Sequence, residues 1–125
     1  MSAEEKTIRV ISFSGKEADW TVWEEKFLAR ADDLGALKVL LGEEISPKDS
    51  DQPFNTATAE GREQSRIYTA NRKAYKEIVL SIDGSTSSGK IAFNLVRLSK
   101  TSDLKRGDAK LAWSRLQEKL SLIHI

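Results

Sequence analysis

The chain has 125 residues, with 20 Lys and Arg against 19 Asp and Glu, one His, no Cys and a formal charge of +1. That length suits one domain with a core large enough to stand without staples. The missing cysteine excludes a disulfide framework and a Cys-containing zinc site, and the charge balance gives no global pull toward nucleic acid or anionic lipid.

Residues 1–12 read as a lead-in, polar at first and extended around Ile8, Val10 and Ile11. The polar start lacks the apolar run of a signal peptide. No stretch approaches the roughly 18 apolar residues needed to cross a bilayer, so a cytoplasmic protein without membrane contact is expected. Phe13-Ser14-Gly15 makes a turn. Ser14 and Glu17 have capping-box spacing, with Asp19 as a competing N-cap. Trp20, Trp23, Phe27, Ala31 and Leu34 then recur at steps of three or four, which puts them on one face of a helix ending at Gly35.

A short second helix carries Ala36, Leu37, Leu40 and Leu41 and ends at Gly42. Residues 43–55 hold both prolines and read as a long surface loop. A third helix is predicted from about Thr58 to Ser81, its stripe formed by Ile67, Ala70, Ala74, Ile78 and Ile82 and widened by Tyr75 and Val79. After a break at Asp83-Gly84-Ser85-Thr86, a fourth helix has Ile91, Ala92, Phe93, Leu95, Val96 and Leu98 nearly all around it. Such a pattern predicts a central, buried helix. Residues 101–108 form a polar linker, and a fifth helix follows with Ala109, Trp113, Leu116 and Leu120 at helical spacing. The expected fold is all-α, a bundle of about five helices.

One motif tests for chemistry. Gly84-Ser85-Thr86-Ser87-Ser88-Gly89-Lys90 has the glycine and lysine spacing of a phosphate-binding loop. The following residue should be Ser or Thr, whose hydroxyl binds magnesium, but it is Ile91. The apolar run upstream also continues a helical pattern. A Gly/Ser turn between helices, well supplied with N-caps, is therefore expected. The single histidine, His124, sits too near the end for a catalytic pair. Glu24-Glu25 and Asp32-Asp33 are adjacent residues that do not face one another on a helix, so they read as solvated charges. Arg62, Arg66, Arg72, Lys73 and Lys76 give the third helix a basic flavour that Glu60, Glu63 and Glu77 dilute. A solvated face is expected there in preference to an RNA groove. The three tryptophans read as core, with an assembly contact as the alternative.

The pattern as a whole resembles a known family. Phe13-Ser14-Gly15 followed by Trp20, Trp23 and Phe27 resembles the opening of the Gag polyprotein of copia-type LTR retrotransposons. Ala74-Tyr75, Leu80-Ser81-Ile82 and Gly89 to Val96 are similar to its central helices, and Ala109-Lys110-Leu111-Ala112-Trp113-Ser114-Arg115-Leu116 looks like its A-x-x-A-W-x-x-L helix. The likeness covers roughly residues 8–119. It departs at Trp20, where the family usually carries tyrosine. The resemblance implies a capsid-like domain over residues 13–119 that self-assembles into virus-like particles around the element's RNA. It implies no catalytic, cofactor-binding or metal residue, and a fold carried by Phe13, Trp20, Trp23, Phe27, Ile78, Phe93, Leu95, Trp113 and Leu116. Gag normally continues into a CCHC zinc knuckle that binds RNA. RNA is thus expected only through a downstream region absent from this chain. Leu120-Ser121-Leu122-Ile123-His124-Ile125 looks like translated sequencing-adaptor end, so residues 120–125 are expected to be a non-native tail. The rival readings are a Gag-like domain retained by a host, or an unrelated helical adaptor with a protein partner.

Overall fold

The computed structural model describes residues 12–121. The lead-in residues Ile8, Val10 and Ile11 and the tail residues Leu122, Ile123, His124 and Ile125 lie outside them. Among the described residues are five α-helices: α1 (Glu17–Asp33), α2 (Leu37–Leu40), α3 (Ala59–Ser81), α4 (Ser87–Arg97) and α5 (Ala109–Leu120). A 3-10 turn, Asp49–Asp51, lies between α2 and α3. No described helix is long and apolar enough to cross a membrane. Helix α5 packs on α2, α3 and α4, so α3 and α5 form the centre of the bundle.

The first helix starts without a side-chain cap. Gly15, at φ +85°, separates Ser14 from the helix. Ser14 Oγ instead accepts from the Lys16 amide at 3.1 Å and donates to Asp19 Oδ2 at 2.6 Å. The expected capping box is therefore not formed. Its ending does follow the sequence: Ala36 N–H donates to Ala31 O and Gly35 N–H to Asp32 O. These bonds satisfy two of the last carbonyls, and Gly35 supplies the left-handed residue they need. Helix α2 ends the same way, with Gly42 N–H on Val39 O and Glu43 N–H on Lys38 O. Its buried residues are Val39 and Leu40, while Leu41 is exposed.

The core gathers rings from three places in the chain. Phe13 stacks on Trp23 at 4.5 Å between ring centres, Trp23 meets Trp20, Phe27 and Trp113, and Phe27 stacks on Trp113 at 5.4 Å. Phe13 is held in place by a parallel bridge: its N–H donates to Ser81 O and its C=O accepts from Asp83 N–H. Ile78, Ala74, Val96 and Leu116 are fully enclosed beside the rings. Leu120, on the stripe expected of the fifth helix and also the first residue of the expected tail, is the last buried residue of α5. The indole N–H groups of Trp20 and Trp113 are buried with no hydrogen-bond partner among the described residues. Each unmade bond costs about 1–3 kcal/mol, which the buried ring area must outweigh.

The fourth helix differs from its prediction. Only Gly89, Ala92 and Val96 of α4 are buried. Phe93 and Leu95 are partly buried against the core, while Ile91 and Leu98 stand 55% and 60% exposed. The helix lies on the outside of α3 and α5. It is apolar on two sides, and the core covers one of them.

Replacing Trp23 by alanine removes the ring that touches four others. We expect a loss of about 3–5 kcal/mol, seen as a collapsed or absent cooperative transition in a thermal melt followed by circular dichroism. A melt like that of the parent would contradict this core.

Candidate functional site

The glycine-rich turn proves to be a joint between helices. Its upstream neighbour is the end of α3, and the described residues contain no strand, only the bridge at Phe13 and Ile82. Asp83 Oδ1 accepts from the amide and hydroxyl of Ser85. Thr86 is the N-cap of α4, accepting from the Gly89 amide at 2.9 Å. The hydroxyls of Thr86 and Ser88 both donate to Ser14 O, at 3.2 and 3.1 Å. The residues that imitate a phosphate loop thus spend their polar groups on fastening the Phe13 segment to α4. Gly89 is required for close approach, because a Cβ there would lie 1.7 Å from Asp83 O, whereas a Cβ on Gly84 would meet nothing.

The two exposed segments, residues 43–55 and 101–108, are latched together. Asp49 N–H donates to Asp103 O at 2.8 Å, and Asp49 Oδ2 accepts from the Lys105 amide at 2.8 Å. Tyr68, reaching from α3, donates to Asp49 Oδ1 at 2.5 Å. The tyrosine hydroxyl and the Lys105 amide hold the Asp49 carboxyl below the usual carboxylate range. The same hydrogen bond, with burial, pushes the Tyr68 hydroxyl up. The sequence marks the two segments only as a surface loop and a polar linker; the latch fixes them to each other and to α3.

Asn71 makes a second clamp that the sequence analysis missed. It is 1% exposed; its Nδ2 donates to Gly107 O at 3.0 Å and its Oδ1 accepts from the Ala109 amide at 2.9 Å. It thereby orders the linker and satisfies the first N–H of α5 at once. Asp108 caps the same helix through the Leu111 amide. Tyr75 completes the arrangement: its hydroxyl donates to Val96 O at 2.8 Å, and its ring lies where a Cβ on Gly107 would fall. The signal was present in the sequence. Asn71 is one residue after Ala70, three before Ala74 and four before Tyr75, on the stripe that points inward.

The charged candidates remain at the surface. Arg62, Arg66, Arg72, Lys73 and Lys76 are exposed along α3. Arg66 bonds Glu44 at 2.6 Å and Glu63 at 2.8 Å, and Arg30 crosses from α1 to Glu77 at 3.1 Å. Arg72, Lys73, Lys76 and Arg106 border a shallow groove beside Tyr75. Glu24 accepts from Gln117 at 3.2 Å, and Glu25, Asp32 and Asp33 are exposed. No group of three His, Cys, Asp or Glu among the described residues is placed to hold a metal ion.

No protein-family model, curated protein or solved structure matches this chain.

Two measurements check these local assignments. Gly84→Ala should leave stability within about 0.5 kcal/mol of the parent, and Gly89→Ala should lower it well beyond that in urea unfolding; the reverse order would restore a special role to Gly84. The Lys105 amide resonance should titrate with Asp49, at a midpoint below the ordinary aspartate value. Stability from this latch is complete above the ordinary carboxylate range and is lost as pH falls through the lowered folded value. Tyr68→Phe should move the midpoint up toward ordinary aspartate, and an unchanged midpoint would remove the tyrosine from the latch.

Proposed function

We propose that this chain is the capsid-like domain of a copia-type retrotransposon Gag, a non-enzymatic cytoplasmic protein that works by binding copies of itself. One observation carries the reading. The pieces of the Gag-like pattern are far apart in sequence, yet Phe13, Trp20, Trp23 and Phe27 meet Trp113 in one ring cluster. One core thus joins the separated pieces of the pattern, which supports reading them together as one domain. A particle protein needs such a rigid body, with weak complementary surfaces repeated many times. The all-α architecture suits this role, and the uncovered apolar side of α4 supplies a surface for it. Enclosure of RNA on this reading belongs to sequence that normally follows the domain in Gag.

The test is self-association of the purified chain. Sedimentation velocity over a concentration series should show reversible growth beyond the monomer, and electron microscopy at high concentration should show curved or closed particles. A strictly monomeric species at every concentration would reject the assembly reading and favour an adaptor with a foreign partner.

A further inference from the structure

The side of α4 that the core leaves uncovered carries Ile91 and Leu98, with Leu95 at its margin against the core. Ile91, Leu95 and Leu98 follow at steps of four and three, a two-turn strip of the kind that seats another helix. Ile91 and Leu98 are more than half exposed and Leu95 is partly so. Lys90 and Arg97 stand one residue ahead of Ile91 and Leu98, about 100° round the helix from them, and are exposed together to one side of that strip. Helix α4 contains no acidic residue.

The outward side of α1 is its complement. Val22 is 60% exposed, between exposed Ala18 and Ala29. These three residues are spaced by four and seven, so they also line one side of a helix. Glu25 and Asp32 follow Val22 and Ala29 by three residues and are exposed, with no ion pair among the described residues. Small residues on α1 leave room for the large ones on α4. The cations are seven residues apart and so are the acids.

We propose that α4 of one copy of this chain docks on the outward side of α1 of a second copy. The proposal rests on the self-assembly reading and names its surface. A step of one residue back and a step of three forward rotate to the same side of a helix. The cations and the acids therefore lie on the same side of their apolar strips. An antiparallel pairing brings Arg97 against Glu25 and Lys90 against Asp32 while Ile91, Leu95 and Leu98 cover Val22 and Ala29. Pairing α4 with another α4 in that manner would set Lys90 against Arg97, which charge repulsion disfavours. The contact is heterologous: each copy offers a donor side and an acceptor side, so it propagates into rings or open arrays.

Two charge-reversed chains test this. Lys90→Glu with Arg97→Glu makes both faces acidic, and Glu25→Lys with Asp32→Lys makes both basic. All four positions are exposed, and parent-like circular dichroism melts verify that each variant folds. Each variant alone should associate about tenfold or more weakly than the parent in sedimentation velocity. An equal mixture should regain association, with the two chains alternating. Variants that associate like the parent, or a mixture no better than its components, overturn the α4–α1 contact while leaving self-assembly standing. A parent chain that never associates overturns both readings.

Discussion

The contact of Trp23 with the rings around it is what the rest of the domain depends on. Its indole lies between Phe13 from the entry turn, Trp20 and Phe27 from its own helix, and Trp113 from the last helix. Fixing that ring fixes where α1 sits over α5, and where the chain must enter. Aromatic pairs contribute both buried area and a preferred geometry. That is how two buried indole N–H groups, unpartnered among the described residues, are tolerated here.

Around this apolar centre the long helix α3 acts as a frame for polar fastenings. Tyr68, Asn71 and Tyr75 project from successive turns, and each holds a different part of the chain: the 3-10 turn, the linker before α5, and the Val96 carbonyl near the end of α4. Helix α3 thus organises segments that have little apolar surface of their own. The entry turn and the start of α4 are tied to each other in the same spirit, through hydroxyls on a backbone carbonyl. Hydrogen bonds of this type contribute modestly when made and penalise strongly when broken in a buried place.

Much of this was legible in advance. Periodic apolar spacing located α1, α3 and α5 and the inward side of each, because a helix that packs on one side must place its apolar residues at steps of three and four. Gly35 and Gly42 marked helix ends for a local reason, the left-handed residue each ending requires. The cap at Ser14 was misread because Gly15 turns the chain before the helix begins, which short-range spacing does not reveal. Helix α4 was misread for a more instructive reason. Apolar residues on all sides of a helix state only that all sides seek cover, not that one chain supplies it. The latch at Asp49 was invisible because its partners, Tyr68, Asp103 and Lys105, are brought together by tertiary structure alone. Of the proposed contact surface, the charges and apolar residues could be read from the sequence, and their outward direction could not.

The position of Trp113 has a consequence for how the domain comes into being. Every helix here can form from neighbours in sequence, but the core closes only through distant partners: Phe13 with Ile82, Asn71 with Ala109, and the α1 rings with Trp113. During synthesis α1 leaves the ribosome long before α5. Until Trp113 arrives, Trp20, Trp23 and Phe27 present an uncovered aromatic surface. A helical protein of this topology folds more slowly than its local structure suggests, because its decisive contacts span most of the chain. The interval before closure is when such a chain can stick through the wrong surface. The last helix therefore marks the difference between an incomplete chain, with its aromatic core open to solvent, and a finished one whose rings are covered.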